Sequence, residues 1–303
     1  MKRKIALIGP STLMVSLPSK WAKANSLRKG AEIDVEEREK QLIVSAEPSK
    51  PKVKRLNLEA KDIGMPHKNI LAYVYHKGYD EVRLNFSGDE AENSLLLKIS
   101  ELIGFEVVSQ TDTSCTVRSI TDVKSEEYES MLRRTFLLQL EMGESCYRAL
   151  ASGKFQELGG ISLHEGTNNK YTDFCKRVLN KYGYANPENT LFMYAIVRDL
   201  EKIADVYKAI CLYFFRETDY RIDRAVLDAV RETNMMFRLL YELFYKFDPS
   251  KAKEFYRIKN EASGKTLHLL GKVKGREIIL LHHIMTAQDL IFDLYGPYYA
   301  MRL

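Results

Sequence analysis

From Ser125 to Leu303 the chain reads as a succession of six helices, which limits the fold more than any other feature. The segments are 126–152, 155–182, 187–216, 219–246, 249–273 and 275–302, with Gly153, Gly183, Pro187, Pro249 and Gly275 supplying most of the punctuation. At roughly 24–30 residues each they exceed the usual globular helix, so they predict long antiparallel helices packed as a bundle. Six such helices divide naturally into two three-helix units, 124–217 and 218–303.

The beginning of the chain is built differently. Arg3–Ile8 and Thr12–Leu17 read as short strands around a Gly9-Pro10-Ser11 turn, and Pro18 opens a short helix through Ala24. Arg28-Lys29-Gly30 makes a turn, Glu32–Glu36 alternates apolar and charged side chains, and Gln41–Ser45 pairs back onto it. Four short strands bury little by themselves, and such small sheets usually dimerise. Residues 1–46 form this head. Residues 47–56, opening with Glu47-Pro-Ser-Lys-Pro-Lys52, read as a linker because two prolines and polar neighbours disfavour regular structure. Between linker and bundle, residues 57–123 alternate helix and strand patterns: helix over Lys68–Lys77, strand over Glu81–Phe86, helix over Glu90–Ile103, then strands Phe105–Ser109 and Cys115–Ile120. The expected architecture is multidomain, with a small β head, a small α/β middle unit and an all-α pair of three-helix bundles.

Charge is concentrated at the head. The first thirty residues carry Lys2, Arg3, Lys4, Lys20, Lys23, Arg28 and Lys29 and no acidic group. Over residues 1–60 there are 13 basic and 7 acidic side chains, against 33 and 34 in the remainder. A positive end on a neutral body suits a polyanion-binding head carried by another module. Lys and Arg that neutralise DNA phosphates release condensed counterions, which makes such binding steeply salt-dependent.

Other functions find little support. Gly9-Pro-Ser-Thr12 lacks the second glycine and the Gly-Lys of a phosphate loop. Cys115, Cys146, Cys175 and Cys211 are far apart and read as buried free thiols in a reducing compartment. Adjacent His282-His283 face different ways on a helix. No apolar run of about 18 residues predicts a membrane span, and Gly9-Pro10 stops the N-terminal apolar run short of a signal peptide. The expectations are no enzymatic activity, no required cofactor, no membrane insertion and a cytoplasmic location. Aromatic residues of the helical half, Tyr207, Phe214, Phe237 and Tyr241 among them, recur at helical spacing as core residues do, and Trp21 is expected to anchor the head.

The stretch Gly9-Pro-Ser-Thr-Leu-Met-Val-Ser-Leu-Pro-Ser-Lys-Trp-Ala-Lys-Ala-Asn-Ser-Leu-Arg-Lys-Gly-Ala-Glu-Ile-Asp-Val35 resembles the AbrB family of swapped-hairpin DNA-binding domains. The resemblance covers nearly all of residues 1–45. It implies a homodimer through the head and double-stranded DNA as partner, with Arg3, Lys4, Lys20, Lys23, Arg28 and Lys29 presented to it. Val197-Arg-Asp-Leu-Glu-Lys-Ile-Ala-Asp-Val-Tyr-Lys-Ala-Ile210 is similar to the third-helix stretch of PhoU, a phosphate-signalling helical bundle. The order of head, α/β unit and bundle resembles a group of archaeal phosphate-uptake regulators.

Glu201 and Asp205, four residues apart, share one helical face. The PhoU resemblance pairs them with Glu165 and Asn169 on the preceding helix, a set that suits a divalent or ferric ion, weakened where Asn169 replaces an aspartate. In the second unit Glu261 is followed at i+4 by Lys265, whose ammonium facing the carboxylates would replace a metal, and Asp289 and Asp293 stand on the third helix. Asp219 and Asp223 are read as first-turn acids complementing a helix dipole.

The resulting functional expectation is a DNA-binding transcription regulator linked to phosphate uptake, its dimeric head controlled by a sensor bundle, with a phosphate-signalling protein as a further candidate partner. The alternative is a signalling adaptor that binds a transporter or kinase component without DNA. A third reading, an antitoxin-like regulator, is weakened by the large folded bundle standing where antitoxins usually carry a short disordered tail.

Overall fold

The computed structural model describes residues 1–38, 41–46, 53–62, 67–86, 97–121 and 125–303. Two compact units emerge, Met1–Val53 and Lys54–Leu303.

In the first unit, β1 (Ile5–Ile8) and β2 (Thr12–Val15) form an antiparallel hairpin in which Ile5 faces Val15 and Leu7 faces Leu13. Its turn uses Gly9 at φ +67°, a conformation L side chains rarely adopt. Pro18 is the N-cap of α1 (Ser19–Ala24) rather than its first helical residue. The helix ends where Ser26 takes a left-handed φ of 55° and the Leu27 amide donates back to the Ala22 carbonyl. The second hairpin pairs β3 (Asp34–Arg38) with β4 (Gln41–Ser45); β3 starts two residues later than the alternation suggests.

No hydrophobic residue described in this unit is buried: Ile5, Leu7, Leu13 and Leu42 are each more than 60% exposed. Trp21 is half-buried rather than a core anchor. Both faces of the first hairpin are apolar, and a lone two-stranded hairpin has nothing to bury them against.

The second unit opens on a strand absent from the sequence reading. β5 (Arg55–Glu59) begins inside the stretch assigned to the linker, whose Glu47–Lys52 portion lies outside the described residues. It runs parallel to β6 (Glu81–Asn85) through α2 (His67–His76), and β7 (Phe105–Thr111) and β8 (Ser114–Ser119) complete a sheet of order β5-β6-β8-β7. Of the helix expected over Glu90–Ile103, residues 97–101 are helical and 90–96 lie outside the described residues. Leu71, Tyr75, Leu84, Phe86, Ile99, Leu102, Phe105 and Val117 form the core of this α/β part.

The bundle follows as α3 (Tyr128–Ser152), α4 (Glu157–Ser162), α5 (His164–Tyr182), α6 (Thr190–Phe214), α7 (Arg224–Tyr245), α8 (Pro249–Leu270), α9 (Arg276–Asp293) and α10 (Tyr295–Ala300). Two of the expected helices are interrupted. The helix expected over 155–182 breaks at Leu163, where the Leu163 and Gly166 amides reach back three residues rather than four, just after Gly159-Gly160. The last helix breaks at Leu294 because Pro297 cannot donate to the Asp293 carbonyl. The helix expected from 219 starts at Arg224: Asp223 caps it, its side chain accepting from the Ala225 amide at 2.7 Å, while Asp219 lies outside at φ 57°. Neither is a first-turn acid.

One continuous core runs through both three-helix sets. Helix α6 packs against α3, α4 and α5 and also against α9 and α10. Buried amides tie each set together. Gln139 Nε2 donates to Asn168 Oδ1 (2.7 Å) and the Leu200 carbonyl (2.6 Å), and Gln288 Nε2 donates to Thr233 (3.0 Å) and Thr266 (3.1 Å). Tyr207, Phe214 and Phe237 are buried in this core, and all four cysteines are buried and outside any disulfide. No helix among the described residues is long and apolar enough to cross a membrane.

Candidate nucleic-acid interface and carboxylate seam

Arg3 and Lys4 precede β1, Lys20 and Lys23 stand one turn apart on α1, and Arg28 and Lys29 occupy the turn after it. All six side chains are exposed. Hairpin, short helix and turn therefore hold the basic groups on a scaffold whose apolar side chains are also exposed. The first property suits contact with a polyanion, and the second leaves an apolar hairpin that another surface could cover.

In the bundle, α5 and α6 bring the predicted acidic residues together, with two lysines among them. Glu165 accepts from Asn169 Nδ2 (2.6 Å) and from Lys208 Nζ (2.7 Å). Glu201 is ion-paired with Lys176. Asp205 lies in hydrogen-bond contact with Glu165, and burial, then the Glu165 charge and that contact, push its carboxyl above the usual range. Burial pulls the Lys176 ammonium down, partly restored by Asp173.

This donor set does not fit a resident hard cation. Glu201 and Glu165 already hold lysine ammoniums, and the Asn169 amide donates into the site. Among the described residues no group of three or more His, Cys, Asp or Glu is placed to hold a metal. In the second unit Lys265 pairs with Glu232 on α7 at 2.8 Å, Glu261 with Arg257, and Asp289 and Asp293 are exposed. Lys265 thus meets a carboxylate from the first helix of its unit and not one from the third.

Sequence reasoning missed a third cluster, where the α/β part meets α5. His76 Nε2 lies 2.6 Å from Asp173 Oδ1, and Lys98 Nζ lies 3.2 Å from Asp173 Oδ2. Arg177, fully buried, donates to the carbonyls of Tyr75 (3.0 Å) and Tyr79 (2.7 Å) and to Asp80 Oδ1 (3.0 Å). Asn180 Nδ2 donates to the His76 carbonyl at 2.8 Å, and Lys181 also pairs with Asp80. Arg177 and Asn180 thereby satisfy carbonyls at the C-terminal end of α2, where cations are favoured by the helix dipole. A signal did exist: Glu165, Asn169, Asp173, Arg177 and Lys181 recur every four residues, a polar stripe that winds gradually around α5.

The family model described as antidote-toxin recognition MazE, bacterial antitoxin, matches residues 7–62. No curated protein matches the chain, and no solved structure does. The matched stretch takes in the head from Leu7 onward, without Arg3 and Lys4, and runs on through β5, which here is built into a sheet. The N-terminal part of the chain is therefore similar to a MazE/AbrB-like regulator domain, a likeness that suggests dimerisation and DNA binding or antitoxin-type regulation.

Proposed function

We propose that the chain is a dimeric, DNA-binding transcription regulator whose helical bundle adjusts the head according to phosphate status. The carrying observation is the combination within the head of six exposed basic side chains and a hairpin with no buried apolar residue. A second copy covering the hairpins would bury Ile5, Leu7 and Leu13 and bring twelve basic groups onto one duplex. The phosphate link rests on the similarity of Val197–Ile210 to PhoU and is the finer part of the proposal.

Fluorescence anisotropy of the full chain against duplexes selected from a randomised pool tests the reading. With six to ten phosphate contacts, affinity is expected to drop about 10³–10⁵-fold between roughly 50 and 200 mM salt. Reversing the charges of Arg3, Lys4 and Arg28 should abolish binding. Absent or salt-independent binding would refute the proposal.

The matched family's description favours one second reading, antitoxin-type regulation through capture of a toxin protein. Against it, Arg55–Glu59, within the matched stretch, form β5 and join a sheet. Co-purification of a small toxin whose release needs denaturant would decide for this reading.

A further inference from the structure

The α/β part and the bundle have separate apolar cores, and the contact between α2 and α5 is lined largely by polar groups. At its centre lies His76, 8% exposed, with Asp173 at 3% and Lys176 at 5%. The charged groups facing the imidazole are Asp173 and Lys176 from α5 and Lys98 from the helical segment 97–101; Tyr73 and Tyr75 of its own helix approach edge-on. With His76 neutral, its Nε2–H donates to Asp173 and two ammoniums stand near that carboxylate. A proton added to His76 charges a nearly buried imidazole beside two ammoniums, of which Lys98 also pairs with Glu101 and Lys176 with Glu201.

We infer that the His76–Asp173 contact is an acid-sensitive latch that holds the α/β part on helix α5 near neutral pH and releases it on acidification. The chemistry is proton binding alone, at the second ring nitrogen of His76.

The sign follows from linkage. Burial pushes the His76 imidazole below its ordinary value, Lys176 and Lys98 push the same way, and the Asp173 hydrogen bond restores only part. The docked form therefore binds fewer protons than the released one. Docking is at full strength above the pKa of an exposed imidazole, about 6.5, and weakens as pH falls below it. Burial pushes the Asp173 carboxyl up, but the His76 hydrogen bond and the His76, Lys98 and Lys176 charges together hold it below the usual range, so it stays ionised through that window.

Hydrogen exchange of the full chain at pH 7.5 and 5.5, corrected for intrinsic chemical rates, tests the latch. Protection of residues 67–86 and 173–182 is expected to fall about threefold or more at the lower pH, with α7 and α8 unchanged. In His76→Gln, whose amide donates to Asp173 but does not titrate, the fall should vanish. A wild-type chain with equal protection at both pH values overturns the latch, as does an unchanged fall in His76→Gln or a loss that includes α7 and α8. Should that variant not fold, the ring titration of His76 in the wild-type chain by NMR decides. A midpoint below about 6.5 that coincides with the loss of protection supports the latch, and one at or above it overturns it.

Discussion

Replacing Arg177 by Met keeps the apolar stem of the side chain and removes the guanidinium from a fully buried position. Tyr75 O retains the Gly78 amide as donor, and Asp80 retains Lys181 and the Lys54 amide. The Tyr79 carbonyl loses its bond from Arg177, at a cost of about 1–3 kcal/mol. The guanidinium also lies 4.8 Å from the Tyr75 ring centroid and 5.1 Å from that of Phe105, and such cation–π contacts contribute about 0.5–2 kcal/mol. Relief of the buried cation's desolvation offsets part of this, leaving about 3 kcal/mol, at the lower edge of what losing one partner of a buried pair costs. That corresponds to roughly a hundredfold larger population of chains with the α/β part open. Limited proteolysis in the regime where cleavage follows the open population reads this directly. Cuts within 67–121 should accelerate about a hundredfold while α7 and α8 stay intact. Arg177→Lys, with one point cation in place of a fork spanning three acceptors, should recover less than half of the loss. An acceleration below about fivefold, or equal weakening of the bundle, would refute this account.

Two further outcomes follow from the head and the seam. Leu13→Glu places a charge on the hairpin face at a position 66% exposed in the single chain, and should leave the bundle's thermal transition unchanged while converting dimer to monomer in sedimentation. A dimer that persists would show that the hairpin is not the interface. Millimolar Mn²⁺ or its chelation should leave the wild-type melting temperature unchanged, because Lys176 and Lys208 already neutralise the carboxylates. The double variant Lys176→Gln, Lys208→Gln should instead be stabilised by the ion; stabilisation of the wild type would show that a cation displaces the lysines.

Much of the bundle was legible because Gly and Pro end long amphipathic helices by removing a donor or admitting a left-handed residue, both local effects. The break at Leu294 has an equally local cause in Gly296-Pro297, yet the sequence reading runs a single helix through 275–302. By contrast β5 was obscured. Leu56 and Leu58 alternate as a strand requires, yet they follow a Lys- and Pro-rich stretch and pair with a strand 26 residues on. The acidic residues of α5 and α6 were found by their four-residue spacing, whereas Lys176, 25 residues from Glu201, became their partner only through helix packing. The same holds for Arg177 and His76. Their partners lie 97 to 102 residues away, and periodicity along one segment says nothing about which distant carbonyl or carboxylate a polar stripe will meet.

Helix α6 has a consequence for how the chain is made. It buries Ile196, Val197, Leu200, Ile203, Ala204, Tyr207, Ile210 and Phe214, and its packing partners include both earlier helices and the later α9 and α10. On the ribosome the earlier partners are complete when α6 emerges, but the later ones are not. The roughly 80 residues from the end of α6 to the end of α9 take about 4–16 s to synthesise at the usual pace. For that interval an apolar flank of α6 faces water on the nascent chain, a natural docking point for a chaperone, and a message truncated between Phe214 and Arg276 would leave that flank permanently uncovered.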